Sequence, residues 1–292
     1  MQFFDALLTG LALGGMYALI ALGLNLQYSV ARILNLSYGE MMIAAAVLTY
    51  ILFVMHGISP LLTLMLVMPL AALVGWAVYG LLLTPLIRRA PSREALEVDS
   101  LLGTFGLLFI IQGVMLTLVG GRYLSYSFLT VTVNLFGITV AANRLLALGF
   151  AIVLGVGVWL LLTRTRVGTA IRSISADPVS AQLVAIDVKR LAMAAFVLGT
   201  LLAAMAGVLV SMFLTFSATV GVVFTMTALM VVIMGGIGNM AGAVVAGLLL
   251  GLIEAFVGTY VSPSLTLAAN FALFLIVLLF KPEGLFGRKV SR

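Results

Sequence analysis

Charged residues are so sparse in this 292-residue chain that they leave six long uncharged runs: residues 6–31, 41–87, 100–121, 145–163, 191–253 and 255–280. A helix crossing the hydrocarbon core of a bilayer needs roughly 20 apolar residues, so each run is long enough to cross. The 47-residue second run accommodates two helices and the 63-residue fifth about three. The chain is therefore expected to form an all-α, polytopic transmembrane helical bundle of about eight to nine segments. Turn-forming residues mark the internal joints: His56-Gly57-Ile58-Ser59-Pro60 in the second run, and residues 216–220 and 235–239 in the fifth. Residues 123–143 are also uncharged, but Ser125, Tyr126, Ser127, Thr130, Thr132, Asn134 and Thr139 predict a polar external loop.

Composition excludes the alternatives. The chain is 64% hydrophobic and 8% charged, with a mean hydropathy of +1.30. Soluble chains are about one quarter charged, and one this apolar would expose large hydrophobic patches in water. High apolar content also excludes intrinsic disorder, and the lack of cysteine excludes a disulfide scaffold or a thiolate metal site. The net charge of +6 is no signal for nucleic acid, because 15 basic and 9 acidic residues are spread along an apolar chain.

Placement of the basic residues sets orientation. Twelve of the 15 fall in three groups: Arg88, Arg89 and Arg93; Arg164, Arg166, Arg172, Lys189 and Arg190; and Lys281, Arg288, Lys289 and Arg292. The positive-inside rule makes these segments cytoplasmic. The C-terminus is then cytoplasmic, and three preceding segments put the N-terminus on the periplasmic side. If residues 27–40 dip into the bilayer and return without reaching the cytoplasm, the count is eight. The start Met1-Gln2-Phe3-Phe4-Asp5 has no basic residue and its apolar run continues to Leu26, so a retained helix is expected rather than a cleaved signal. One transmembrane domain, residues 1–292, is expected, with membrane lipid as its surroundings.

Short motifs mostly reduce to packing. Gly236-Ile237-Gly238-Asn239-Met240-Ala241 has dinucleotide-fingerprint spacing but lacks the strand before it and the acidic residue after it. Gly10 with Gly14, Gly238 with Gly242, Gly247 with Gly251, and Gly199-Ala203-Gly207 are spaced by four and suit close helix–helix approach. The run from Gly235 to Asn239 resembles the interruption in a discontinuous transporter helix. No Walker A, HExxH or GxSxG pattern occurs, and the one histidine, His56, falls at the outer end of a segment. No cofactor, metal site or catalytic apparatus is expected, so the chain is not expected to be an enzyme.

Two carboxylates fall at membrane depth, where charges are costly and usually face a polar cavity. Glu40 follows Asn35, Ser37, Tyr38 and Gly39, a polar cluster that suits a helix broken at Gly39 beside a solute path. The alternative is an interfacial residue closing a loop with Arg32. Glu254 is either a second solute-path residue or a structural partner for a polar group on a neighbouring helix.

Residues 164–190 form the main cytoplasmic segment. Asp177 suits a helix N-cap and Pro178 the first helical position, while Val179, Leu183 and Ile186 make an apolar stripe at spacings of four and three. With a helical turn over residues 168–172, this predicts a compact helix-turn-helix with a ridge suited to a partner's groove.

Taken in order, several stretches give the chain a family resemblance over nearly its whole length. They are residues 14–23, Asn35-Leu36-Ser37-Tyr38-Gly39-Glu40, residues 168–186, Gly235-Gly236-Ile237-Gly238, and residues 280–287. The chain resembles the inner-membrane permeases of high-affinity branched-chain amino-acid ABC importers, of the LivH type. The resemblance implies that Gly168, Ala170, Asp177, Val179, Ala181, Leu183 and Ile186 belong to a coupling segment that docks on an ABC ATPase subunit. It further implies a LivM-like second permease and a periplasmic solute-binding protein, in a bacterial inner membrane. Two departures stand out: Tyr38 replaces a common histidine, and Val184-Ala185-Ile186 replaces a common Leu-Gly-Ile. The first bears on the solute, which could be a branched-chain amino acid, urea or a short amide. A permease subunit of an ABC importer is the expected function, against an autonomous secondary transporter or channel using Glu40 or Glu254.

Overall fold

The computed structural model describes residues 2–135, 138–183 and 186–287. Helix α1 (Gln2–Ala31) is followed by α2 (Tyr38–His56) and α3 (Pro60–Ala77). α3 continues through a π-helical stretch (Val78–Leu83) into α4 (Thr84–Arg89), and α5 (Arg93–Val119) follows. A hairpin of β1 (Thr132–Leu135) and β2 (Ile138–Ala141) leads into α6 (Ala142–Arg164), α7 (Arg166–Ala176) and α8 (Pro178–Leu183). The last four helices are α9 (Val188–Ser211), α10 (Gly221–Gly235), α11 (Met240–Tyr260) and α12 (Thr266–Phe280).

Among the described residues, eight helices are long and apolar enough to cross a membrane, with α3, the π stretch and α4 forming one of them. The chain is a multi-pass membrane protein. The joints fall where turn chemistry places them. Gly57 closes α2 in the left-handed conformation, and the interruption after Gly235 uses positive φ at Gly236 and Gly238. The fifth run yields three helices, but α10 has only 15 residues and spans about 22 Å, short of a hydrocarbon core of about 30 Å. The polar loop expected over residues 123–143 contains two antiparallel strands in which Thr132 pairs with Ala141, a pairing suited to the β-branched Thr132, Val133, Ile138, Thr139 and Val140.

Two compact units are distinguished. The first comprises Met1–Leu22, Ser127–Val156 and Thr227–Arg292, the second Gly23–Tyr126 and Gly157–Met226.

In the first unit the glycines spaced by four let backbones meet. A Cβ on Gly251 would collide with the backbone of Gly14, and one on Gly247 with that of Ala18, so α11 lies directly on α1. The positive φ of Gly236 has a local purpose too, since the Leu285 amide bonds Met234 O at 2.7 Å and the Phe286 amide bonds Gly235 O at 3.3 Å. The turn after α10 is thereby sealed by the segment following α12.

In the second unit α9 is the hub. Gly207 admits the carbonyl of Met42 from α2, and Gly199 admits Gly23 O and the Gln27 side chain from α1. The C-terminal end of α9 is tied by a bridge between Leu124 and Phe216 and by a 2.7 Å hydrogen bond between Tyr126 Oη and Ser211 Oγ.

Candidate functional site

The polar cluster lies in the second unit, at the break between α1 and α2. Helix α1 ends when Arg32 adopts a left-handed φ of 55°, and residues 32–37 run irregularly before α2 begins at Tyr38. The expected break at Gly39 is thus corrected: Gly39 is helical, inside the first turn of α2. Its missing side chain serves close approach instead, because a Cβ there would strike Gly221 O and the Thr225 side chain. Asn35, Ser37, Tyr38 and Glu40 are all buried within the protein.

Irregular backbone away from water needs internal partners, and side chains of α1, α5 and α10 supply several. Asn35 Oδ1 accepts from the Ser37 amide at 3.1 Å and from Ser37 Oγ at 2.7 Å. Asn35 Nδ2 donates to Gln27 Oε1 at 3.2 Å, and Gln27 Nε2 donates to Phe196 O at 2.9 Å. The Leu36 amide donates to Thr104 Oγ1 on α5 at 3.1 Å. The Gly39 amide donates to Thr225 Oγ1 on α10 at 2.8 Å, and that hydroxyl lies 3.3 Å from Leu36 O as its donor. Tyr38 Oη donates to Gly199 O at 3.0 Å.

Glu40 is the exception. It has no accessible surface, its carboxyl stands over the Cα of Gly221, and neither oxygen makes a hydrogen bond. The structure therefore brings Asn35, Ser37, Tyr38, Gly39 and Glu40 together and adds Gln27, Thr104, Gly221, Thr225 and Thr200, whose Oγ1 accepts from Gln27 Nε2 at 3.3 Å. Thr104, Thr200, Gly221 and Thr225 are single polar or small residues in apolar helices with no signal in the sequence.

Glu254 belongs to the first unit. Its Oε2 accepts from Tyr17 Oη on α1 and from Asn270 Nδ2 on α12, both at 2.8 Å. One carboxylate thus joins α1, α11 and α12. Asn270 Oδ1 is buried without a partner, which defines a test. Glu254→Leu is expected to lower thermal stability of the purified protein by about 1–3 kcal/mol for each group left unpaired. Glu254→Gln, able to accept from Tyr17 and donate to Asn270 Oδ1, is expected to cost much less.

Residues 164–190, expected on the cytoplasmic side, carry two short helices, α7 and α8. Thr165 caps α7 by accepting from the Gly168 amide at 3.1 Å, and Gly168 lets α7 fold against the backbone of Leu161 and Leu162. Ile171 and Ile174 are buried, Ala170 is half-buried, and Arg172 and Ser173 are exposed, so α7 lays one apolar face inward. Arg32 Nη2 reaches Ser175 O at 3.1 Å, which ties the break to the end of α7. After Asp177, α8 starts at Pro178, with Ala181 buried and Leu183 84% exposed.

The expected single stripe is corrected. α8 ends at Leu183, and Ile186 lies beyond it, half-buried, with its amide returning to Ala181 O at 3.2 Å. Positions 179 and 183, four apart, still fall on one side of α8, so only Ile186 leaves the stripe. Of Val179 only the backbone position in α8 is described, and Val184, Ala185, Arg288, Lys289 and Arg292 lie outside the described residues.

Comparison with known proteins is consistent over almost the full length. The family described as branched-chain amino acid transport system / permease component matches residues 6–279. The chain is 28% identical to the high-affinity branched-chain amino acid transport system permease protein BraD of Pseudomonas aeruginosa, covering 98% of this chain and 96% of that one. It is 27% identical to LivH of Escherichia coli K12, covering 99% and 96%, and 28% identical to a probable LivH of Methanocaldococcus jannaschii, covering 84% and 78%. A solved structure, PsaBC from Streptococcus pneumoniae in complex with Fab, aligns over 98% of this chain and 94% of that one at 14% identity, with a TM-score of 0.49. The chain belongs to the family of branched-chain amino acid transport permease components.

Proposed function

We propose that this chain is one permease subunit of a bacterial inner-membrane ABC importer and moves branched-chain amino acids, or a close small zwitterion, into the cytoplasm. The observation that carries the reading is the pairing of a buried polar break in a membrane helix with an outward-facing apolar residue, Leu183, on the cytoplasmic α7–α8 segment. The chain performs no chemistry. ATP hydrolysis belongs to separate ABC subunits, a LivM-like permease completes the pathway, and a periplasmic binding protein delivers the solute.

Within this reading, residues 35–40 line the solute path. Asn35, Ser37 and Tyr38 hold the break in shape, since their polar atoms are already bonded, and Glu40 faces the solute. Glu254 fastens three helices. The α7–α8 segment, with Gly168, Ala170, Asp177, Val179, Ala181, Leu183 and Ile186, is the coupling element, and the Arg32–Ser175 contact links it to the break.

Nine crossings follow if α10 counts as one, with the N-terminus periplasmic and the C-terminus cytoplasmic. Sealing of the turn after α10 by residues 285 and 286 supports this count, because it puts that turn beside the basic C-terminal segment. The natural absence of cysteine makes the test clean. A single cysteine at Ser173, exposed on α7, is expected to react with a membrane-impermeant maleimide only in inverted vesicles. One at Ser264, exposed before α12, is expected to react only in intact cells. The reverse pattern would overturn the orientation.

A further inference from the structure

Among the described residues, Glu40 is the one charged side chain with no accessible surface, and both its oxygens lack hydrogen bonds. Its carboxyl is pressed against Gly221, so closely that a Cβ at Gly221 would overlap the carboxyl carbon and both oxygens. Gly221 is the first residue of α10. The amides of Val223 and Phe224 turn back to Val220 O, while those of Gly221 and Val222 open the helix without a helical acceptor. The Val222 amide is the one backbone donor directed at the Glu40 carboxylate, without the geometry of a well-formed hydrogen bond. A buried acceptor and the positive end of a helix thus confront one another, and most of the acceptor capacity of Glu40 is unused.

This arrangement is costly as it stands. A charge held within the bilayer is unfavourable, and the end of a helix returns only part of that cost. The missing partners are a donor cation for Glu40 and an acceptor anion for the first turn of α10. One class of molecule carries both on a single carbon: an α-amino acid in its zwitterionic form.

We propose that Glu40 and the first turn of α10 are the two jaws of a zwitterion clamp, closed on each other in this structure. When they part, the solute ammonium pairs with Glu40 and the solute carboxylate takes the Gly221 and Val222 amides. Two glycines make the approach possible. Gly39 brings the backbone of α2 onto Gly221 O, and Gly221 leaves room for charge against the helix end. The hydrogen bond from the Gly39 amide to Thr225 Oγ1 keeps the jaws in register. Affinity is weak, because solute binding must first separate jaws that already touch, and this suits a path that must release what it receives. Amides and ureas lack both charges, and simple amines and simple acids lack one each.

The inference rests on reading residues 35–40 as the solute path, and its test is direct binding rather than transport. The full chain in lipid nanodiscs is titrated by saturation-transfer NMR with leucine, with 4-methylpentanoate, which lacks the ammonium, and with 3-methylbutylamine, which lacks the carboxylate. Leucine is expected to bind in the millimolar range and each half-ligand at least tenfold more weakly. Glu40→Gln is expected to weaken leucine at least tenfold while leaving 4-methylpentanoate unchanged, and Glu40→Asp to recover part of the loss. Equal binding of leucine and either half-ligand, no leucine binding at all, or undiminished leucine binding by Glu40→Gln would each overturn the clamp. If Glu40→Gln does not fold, the three-ligand comparison on the unaltered chain still decides. ATP-driven leucine uptake by the assembled complex without this discrimination removes the clamp and leaves the importer reading standing. Discriminating binding without ATP-driven uptake does the reverse.

Discussion

Leu183→Asp is expected to leave the chain folded in the membrane and to separate it from its ATPase partner. Leu183 is 84% exposed at the end of α8, so the substitution removes no contact within the chain and creates no buried charge there. Docked in an apolar groove of a partner, the new carboxylate would be desolvated without a counter-charge, at a cost of several kcal/mol. Recovery of ATPase subunits on co-purification is expected to fall at least tenfold and uptake to background, with the thermal stability of the isolated chain unchanged. Ala181→Asp is the control. Ala181 is buried, so this change is expected to destabilise the chain itself. A full complement of ATPase with normal uptake in Leu183→Asp would remove Leu183 from the coupling surface.

Asn35→Leu is expected to have the second-largest effect. The side chain supplies both acceptor bonds to Ser37 and the donor to Gln27, all buried. Leucine there leaves the Ser37 amide, the Ser37 hydroxyl and Gln27 Oε1 short of a partner, at about 1–3 kcal/mol for each group not re-paired. Both thermal stability and uptake should drop, uptake by at least tenfold. Tyr38→His tests a different property. Tyr38 is fully buried, and its hydroxyl reaches Gly199 O between α1 and α9. The smaller imidazole is expected to change the preference among leucine, urea and a short amide more than it changes assembly. Unchanged rates in Asn35→Leu and unchanged preference in Tyr38→His would remove residues 35–40 from the solute path.

The helices were legible because charges and turn residues punctuate an otherwise apolar chain. His56 to Pro60 and Gly235 to Asn239 divide the long runs where the structure divides them. The shortness of α10 follows from the joints at residues 216–220 and 235–239 that bracket it, whereas no turn residue marks the end of α9 at Ser211. The polar cluster could be seen in residues 35–40, but its geometry could not. Gly39 looked like a hinge, yet a glycine serves equally for turning and for close packing, and only the approach of Gly221 O reveals which applies here. The turn is made by Arg32, whose left-handed backbone has no signature in an arginine. Thr104 and Thr225 clamp the break from α5 and α10, and isolated threonines in membrane helices usually bond their own preceding turn. For Glu254, sequence left two roles open, and the hydrogen bonds to Tyr17 and Asn270 favour the structural one.

The chain is expected to conduct solute only when driven by a separate ATPase subunit. Labelled leucine uptake into proteoliposomes tests this directly, comparing the chain alone under an imposed proton or sodium gradient with the chain assembled with a second permease, ATPase subunits and binding protein. Uptake is expected only in the assembled complex and only with ATP, and it should vanish when ATP is replaced by a non-hydrolysable analogue. Concentrative, gradient-driven uptake by the chain alone would contradict the account and make Glu40 the coupling-ion site of an autonomous transporter.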